Sequence, residues 1–288
     1  MGHKMFRIVS DLHLEGMSEY FLSTMDGEDD MILILAGDIC EFHLIETYKC
    51  YQNFLEDCSN RFREIIYVPG NHEYYNDDWN NSFGKWKNVI EKKYKNITVM
   101  DREVMNVPID VQGKTISYKV VGTTLWTDMN NNNPITKMTG ARFLNDFKMI
   151  KGGFTPETMV EENEKSRTFI RYALIDAMEN FDPVIVVTHH GPTVKSIAPK
   201  YQHNDFHENC LFVNTVIDSY FEEFPLRLWV HGHTHESINH LAGHGCKVIA
   251  NPKGYSQYSF IKYGEHVIRH QNSNYDDRLV LTAEALYF

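Results

Sequence analysis

Five short segments of the chain carry side chains that bind metal ions, and each follows an apolar run typical of a buried strand. They combine carboxylates, imidazoles and an amide, a set that suits Mn²⁺, Fe or Zn²⁺, whereas Ca²⁺ prefers oxygen alone. The segments are far apart in the sequence, so only the folded chain can gather them into one site. They are Asp11-Leu12-His13, Gly37-Asp38, Gly70-Asn71-His72-Glu73, His189-His190 and Gly232-His233-Thr234-His235.

The candidate ligands outnumber what a single ion requires. Two ions about 3.5–4 Å apart would use the set, and they need one bridging carboxylate. We expect Asp38 to be that bridge, because it ends a strand predicted to be central. Such a pair lowers the pKa of a shared water and holds the oxygens of a phosphate ester for in-line displacement. His72 is suited to give the leaving oxygen its proton, since the unperturbed pKa of imidazole lies near neutrality.

The composition indicates a globular protein with a sizeable core, at 288 residues, 42% hydrophobic and 23% charged. A net charge of −11 argues against nucleic acid as a partner, although bound cations would still attract a small nucleotide. The five cysteines are scattered and show no CxxC spacing, which predicts free thiols. Without an apolar leader or a run long enough to cross a bilayer, we expect a cytoplasmic protein with no membrane partner.

Strands must deliver these side chains to one place. Ligands of open α/β sheets gather beyond the carboxyl ends of the strands, which is where each segment begins. The predicted strands that precede the segments span residues 6–10, 31–36, 64–68, 184–187 and 226–230. The 31–36 run is apolar throughout, which indicates a strand buried on both faces.

The remaining elements complete an α/β pattern with mixed strand directions. Thr155 is a predicted helix cap with Pro156 at the first position, and Asp182-Pro183 ends that helix. We find no domain linker and predict one domain over residues 1–288. Further helices are predicted within 41–63, at 80–94 and near 208–224, and further strands at 97–100, 104–111, 115–124, 247–250 and 259–263.

Residues 128–153 are predicted to form a long irregular excursion, because a run of four asparagines precedes Pro134 and several glycines follow. Such a segment either covers a site, as a lid does, or is mobile. Within it, Asn145 and Asp146 are open to two interpretations, contact with the substrate or hydrogen bonding inside the loop.

The order and residue types of the five segments resemble the calcineurin-like metallophosphoesterase superfamily, whose pattern runs DxH, GD, GNH(D/E), H and GHxH. Longer stretches, including Asn251-Pro252-Lys253-Gly254-Tyr255, look like a bacterial and phage branch of it. The resemblance implies an α/β sandwich of two mixed β-sheets flanked by helices, and two divalent transition-metal ions, for which Mn is favoured over Fe and Zn.

The resemblance also implies a role for each site residue. It assigns His72 as the proton donor or transition-state stabiliser and Glu73 as the group that orients His72, while substrate-binding residues remain unassigned. Because it directly follows His189, His190 could itself be a ligand, but we expect it to support the ligands. The implied ligands are Asp11, His13, Asp38 and His235 for one ion, and Asp38, Asn71, His189 and His233 for the other.

The leading hypothesis is a dinuclear metal-dependent phosphodiesterase that acts on a small or nucleotide-like ester by metal-hydroxide attack. The alternative is a phosphomonoesterase, including a Ser/Thr protein phosphatase. Tyr74 and Tyr75 follow the GNHE segment where protein phosphatases carry phosphate-gripping arginines, which favours the first hypothesis. A catalytically silent scaffold is expected to lose ligands or the counterpart of His72, and a nuclease is disfavoured by the negative charge.

Overall fold

Two β-sheets packed against each other carry the five segments. The computed structural model describes residues 5–111, 113–255, 257–262 and 265–282. The strands are β1 (Met5–Val9), β2 (Ile32–Leu35), β3 (Glu64–Tyr67), β4 (Ile97–Val99), β5 (Glu103–Val111), β6 (Lys114–Thr123), β7 (Val184–Thr188), β8 (Leu226–His231), β9 (Ile238–Ala242), β10 (Cys246–Ala250), β11 (Gln257–Lys262), β12 (Glu265–His270) and β13 (Val280–Thr282). The helices are α1 (Lys49–Arg61), α2 (Trp79–Lys93), α3 (Met129–Asn132), α4 (Pro134–Phe143), α5 (Asp146–Met149), α6 (Pro156–Asn180), α7 (Phe206–Asn209) and α8 (Asp218–Glu223).

Parallel pairing aligns the strand ends that lead into the site. The first sheet has the order β13-β1-β2-β3-β4, and β1 to β4 are parallel. The second has the order β5-β6-β7-β8-β10-β9, and β6, β7, β8 and β10 are parallel. The antiparallel strands β13, β5 and β9 lie at sheet edges, so both sheets are mixed, which confirms the predicted fold class.

The main core lies between the sheets. Ile8, Ile34 and Ile66 from the first sheet and Val187 and Val230 from the second are fully buried in one cluster. Helices α1 and α2 cover the outer face of the first sheet, and α6 and α8 cover that of the second. Because β2 and β7 are buried along their whole length, their sequences are continuous apolar runs and not alternating ones.

Helix α6 follows the sequence prediction closely. The Thr155 hydroxyl accepts a hydrogen bond from the Thr158 amide at 3.2 Å, and Pro156 opens the helix. Its stripe of Ile170, Leu174 and Ala177 is buried against the second sheet. The helix ends where Phe181 takes a left-handed φ of 59°.

The prediction of an irregular excursion at 128–153 is wrong where helices α4 and α5 lie, but it is confirmed for the asparagine run, because residues 129–132 have left-handed φ values of 47° to 60°. Asn133 caps α4, its side-chain oxygen accepting hydrogen bonds from the amides of Ile135 and Thr136, and Pro134 takes the first helical position. Leu144 and Ile150 are buried in a cluster with Tyr74, Tyr75, Trp126 and others, so the segment is packed into the fold.

Three other predicted elements need correction. The helix near 208–224 is two short helices, because Val213 between them pairs with Gly191 as an isolated bridge. Residues 42–44 form a separate 3-10 turn before α1, so the helix predicted within 41–63 begins at Lys49. The strand predicted at 259–263 belongs to β11, which pairs with β12 in a hairpin outside the two main sheets; Tyr263 itself lies outside the described residues.

All five cysteines are free and buried, as predicted. Within the described residues, no helix combines the length and apolar character needed to cross a membrane. That residues 1–288 form one domain stays a prediction.

An ionic cluster fixes the start of β1. The fully buried Arg7 donates to Glu28 at 2.6 Å, and Arg61 of α1 donates to the same carboxylate at 2.7 and 2.9 Å. Burial alone would raise the pKa of Glu28, but the Arg61 hydrogen bonds and charge outweigh it and lower that pKa. The cluster therefore ties α1 to the strand that leads to Asp11.

Glu28→Ala should destabilise the fold by about 3 kcal/mol, because it leaves Arg7 buried without its carboxylate. Urea unfolding measures this, with Asp57→Ala as the control, since that change removes a more exposed ion pair worth less than about 1 kcal/mol. The pKa of Glu28 is lower in the folded protein than its ordinary value of 4.5, so its ionised carboxylate contributes its full stabilisation at pH values above 4.5. This stabilisation is lost as the pH falls through the pKa of the folded state. Equal unfolding midpoints for the two variants would contradict the expectation.

Candidate metal centre

The ends of β1, β2 and β8 bring four of the predicted ligands together. Asp11, His13, Asp38 and His235 each offer one ligand atom, and these atoms all lie within 4.8 Å of one another. His235 Nε2 is 3.2 Å from Asp11 Oδ1 and 3.0 Å from His13 Nε2. Three of the four residues are buried.

A second group forms beside the first and shares Asp38 with it. Asp38, His189 and His233 again offer ligand atoms within 4.8 Å of one another. His189 Nε2 lies 3.3 Å from Asp38 Oδ2, 3.1 Å from Asn71 Oδ1 and 3.2 Å from His233 Nδ1. Every predicted ligand is therefore in the cluster, and Asp38 has the position expected of a bridge.

The donor atoms fit a pair of divalent cations. Two pairs of imidazole nitrogens face each other, His13 with His235 and His189 with His233, and each pair can share only one proton. His233 Nε2 is buried with no hydrogen-bond partner among the described residues. Lone pairs that converge in this way are satisfied by a cation, and the mixed carboxylate, amide and imidazole set suits Mn, Fe or Zn.

Strained backbone accompanies the ligands. Asp11, His13, Asp38, His233 and His235 all have φ between 49° and 66°, the left-handed region that side chains with a Cβ seldom adopt. Each such residue costs on the order of 1–3 kcal/mol, and residues of this kind concentrate at functional sites. The strain lets the chain turn sharply after each strand and point the side chain into the cluster.

Two glycines are required by close approach of the ligands. A Cβ on Gly70 would lie 2.2 Å from Asp38 Oδ1, and one on Gly232 would lie 2.5 Å from Asp11 Oδ2. Both distances are far below van der Waals contact, so any side chain would displace a carboxylate. The glycines of the GN and GHxH segments thus make space for ligands from other strands.

Glu73 does not orient His72, contrary to the expectation. Its carboxylate accepts hydrogen bonds from the amides of Asp38 at 2.9 Å, Ile39 at 2.7 Å and Gly70 at 2.6 Å, and from the Tyr67 hydroxyl at 2.7 Å. Burial and the charge of Asp38 raise the pKa of Glu73 to about 7. Glu73 therefore holds the loops that follow β2 and β3 in register.

His72 has other partners, which the sequence analysis missed. Its Nδ1 is 3.1 Å from Glu15 Oε1, its Nε2 is 3.0 Å from the Tyr255 hydroxyl, and its ring stacks on Tyr75 at 4.1 Å. Burial alone would lower the pKa of His72, but the charge of Asp38 and the bond to Glu15 raise it to about 10. The available signals were the position of Glu15 two residues after His13 and that of Tyr255 in a stretch already noted for its resemblance.

Asp146 holds the Asn71 amide, a role outside both interpretations left open for it, because Asn71 and Tyr75 lie outside the 128–153 segment. The Asn71 Nδ2 donates to Asp146 Oδ1 at 2.7 Å, and the Tyr75 hydroxyl donates to the same oxygen at 3.0 Å. The amide oxygen of Asn71 is thereby directed to His189 and the second group. Asp146 is in α5, inside the segment predicted to be irregular, so its partner could not be read from the sequence.

His190 supports the second group from the side. Its ring centroid is 4.0 Å from that of His233, and its Nδ1 lies 3.3 Å from the Thr124 carbonyl oxygen. Burial and the charge of His189 lower the pKa of His190 to about 3, so the ring stays neutral beside the cluster. These contacts match a supporting position, whereas the ligand role of each residue remains a proposal.

The chain belongs to the calcineurin-like phosphoesterase family, whose model matches residues 5–237. This confirms the resemblance stated from the sequence. It also supports phosphoester hydrolysis as the class of reaction.

One relative by sequence and two solved structures are similar to this chain over most of its length. An uncharacterized protein of Acanthamoeba polyphaga mimivirus is 29% identical over 281 residues, which cover 88% of this chain and 92% of that protein. The solved phosphopantetheinyl hydrolase from Mycobacterium tuberculosis has a TM-score of 0.65 at 18% identity and covers 88% of this chain and 90% of its own. A dimetal phosphatase from Danio rerio has a TM-score of 0.47 at 14% identity, over 97% and 99% of the two chains. The mycobacterial likeness shows the shared fold.

Asp146→Ala should weaken metal binding by about 10–100-fold, because partners that orient a ligand contribute that much to affinity. Titration of the apoprotein with Mn²⁺ or Zn²⁺ measures it, and the matched control is Asp26→Ala, which removes an exposed carboxylate. Unchanged affinity for every bound ion would show that Asp146 does not support a ligand.

Proposed function

We propose that the protein is a dinuclear metal-dependent phosphodiesterase that hydrolyses a small or nucleotide-like ester, with Mn²⁺ as the favoured ion. The carrying observation is that Asp38 belongs to both ligand groups, while His72 Nε2 lies 4.0 Å from its Oδ2. A shared carboxylate with an imidazole beside it is the arrangement that metal-assisted phosphoryl displacement requires.

The proposed ligands are the two sets implied by the sequence. Bound divalent cations would supply charge neutralisation on the phosphate and a nucleophilic water at neutral pH. Glu73 keeps Asp38 and Asn71 in place through the backbone amides of their loops. Asp146 directs the Asn71 oxygen, and the backbone amide of His233 donates to both oxygens of Asp11 at 3.0 and 3.1 Å.

His72 is the proposed proton donor to the leaving oxygen. Its Nδ1 faces Glu15, so Nε2 is the atom left to face a substrate. Tyr255 touches that Nε2 and stacks on His13 at 4.2 Å, which gives the reacting oxygen a neighbouring hydroxyl. An imidazole whose Nδ1 is held by a carboxylate and whose Nε2 lies beside the cluster is suited to general acid catalysis.

The charge around the cluster favours a diester over a monoester. Among residues whose side chains the structure describes, no lysine or arginine forms an ion pair with Asp11, Asp38 or Glu15. A diester brings one negative charge to this acidic site and a monoester brings two, so the diester requires less positive charge from the protein. The cytoplasmic location and the absence of a nucleic-acid partner stay predictions from the sequence.

With Mn²⁺, kcat/KM for bis-p-nitrophenyl phosphate should exceed that for p-nitrophenyl phosphate by about 10-fold or more, because the added monoester charge meets an acidic cluster with which no lysine or arginine of the described residues is paired. Parallel steady-state assays measure the ratio. Chelation should abolish both activities and re-addition of the ion should restore them. A monoester preference would reverse the proposed substrate class, and activity that survives complete metal removal would contradict the metal requirement.

His72→Ala should lower kcat by about 100-fold, since general acid catalysis contributes on that order. Metal content should not change, because His72 is outside both proposed ligand sets. Elemental analysis and diester kinetics measure the two quantities. His203→Ala, at an exposed loop position, is the control and should match the wild type. Intact turnover in His72→Ala would remove the proton-donor role.

A further inference from the structure

One oxygen of Glu15 contacts two imidazoles of the centre. Glu15 Oε1 lies 3.2 Å from His13 Nδ1 and 3.1 Å from His72 Nδ1. The two rings are themselves in edge contact, with centroids 4.5 Å apart. Glu15 thus joins a proposed metal ligand to the proposed proton donor, although neither the family pattern nor the proposed ligand sets give it a role.

The contact fixes which nitrogen of each ring is protonated. An ionised carboxylate only accepts hydrogen bonds, so each ring that bonds to it carries its hydrogen on Nδ1. His13 is then left with Nε2 facing His235, and His72 with Nε2 facing the Tyr255 hydroxyl. Both rings therefore present Nε2 to the reaction side.

Each of the two rings also packs on a tyrosine. The ring of His13 stacks on Tyr255 at 4.2 Å, and that of His72 stacks on Tyr75 at 4.1 Å. For His72, Glu15 is the only hydrogen-bond partner of Nδ1 among the described residues. Glu73, which follows His72, cannot replace it, because its oxygens are already bonded to backbone amides and to Tyr67.

We infer that Glu15 is a positioning residue for His72: it accepts the Nδ1 hydrogen, so that the second hydrogen of the doubly protonated ring lies on Nε2, passes from there to the leaving oxygen, and leaves a neutral ring with its hydrogen on Nδ1. The inference rests on the proposed function, since it assigns Glu15 a part in that reaction. A competing arrangement is a further cation held by His13, Glu15 and His72, whose ligand atoms also lie within 4.8 Å of one another. If Glu15 only positions the rings, both Nδ1 atoms carry hydrogens. If a cation binds between them, neither does.

The kinetic test compares two diesters that differ in leaving group, methyl phenyl phosphate and methyl p-nitrophenyl phosphate. Phenolate is the more basic leaving group and needs the proton more. Glu15→Ala should lower kcat about 100-fold for the phenyl ester and about 10-fold or less for the nitrophenyl ester. Glu15→Gln keeps one acceptor oxygen and should recover part of that loss, and Glu19→Ala, at an exposed position of the same segment, is the control.

A double variant tests whether Glu15 acts through His72. Adding Glu15→Ala to His72→Ala should cost no further activity, because residues that act as one unit are non-additive. Additive losses, or equal losses for both esters, would overturn the inference. If His72→Ala alone keeps full turnover, the proposed function fails at its proton donor. If His72→Ala lowers turnover while Glu15→Ala leaves it unchanged, only the inference about Glu15 is refuted and the proposed function stands.

A measurement without turnover reads the tautomer directly. In ¹⁵N-histidine NMR of the zinc-loaded protein, recorded at a pH at which the His72 ring is neutral, its single hydrogen should lie on Nδ1, and Glu15→Ala should shift the population toward Nε2. The same tautomer in both proteins would overturn the inference. Elemental analysis should find two ions per chain in both, whereas a fall from three to two on removal of Glu15 would identify the competing cation site. If Glu15→Ala fails to fold, the same measurements on Glu15→Gln decide.

Discussion

The site depends on the burial of several negative charges at one point, above all that of Asp38, which is 1% exposed. Burial alone would raise the pKa of this carboxyl, but the positive charge of His189 and His72 holds it well below its usual range. A carboxylate that is ionised and buried needs positive neighbours. The surrounding imidazoles provide part of that charge, and cations bound by the proposed ligands would provide the rest.

The fold meets this requirement with rigid, buried strands that are followed directly by strained residues of the site. The strands are buried on both faces in continuous apolar clusters, and their parallel pairing sets the strand ends at fixed spacings. The strained residues come immediately after those strands, where Asp11, Asp38 and His233 turn with positive φ. Strain of this kind persists only when the surrounding structure over-determines it. Here Glu73 does so for two loops, through hydrogen bonds that it accepts from the amides of Asp38 and Gly70.

The sequence predicted what local pattern controls. The apolar runs of β1, β2, β3, β7 and β8 were clear because a strand covered on both faces has no polar alternation, and the ligands directly follow them. What it missed depends on tertiary partners. Asp146 bonds to Asn71, which lies 75 residues away in the sequence. Tyr255 contacts His72 from 183 residues further along the chain. The helix α4 was missed because the same asparagine that disfavours a helix interior caps its start.

The two glutamates near the cluster show why residue type and spacing alone misassign roles. Glu73 is adjacent to His72 in sequence, yet the 3-10 turn at 72–74 directs its carboxylate to the loop amides. Glu15 is distant in sequence from His72, yet the short turn after His13 brings its oxygen between the two rings. A carboxylate committed to neutral backbone donors stabilises a loop, whereas one that accepts from imidazoles sets their protonated nitrogen. Glu73 therefore holds the loops that follow β2 and β3, whereas Glu15 contacts the proposed proton donor, and each carboxylate lies in a short turn after a different strand.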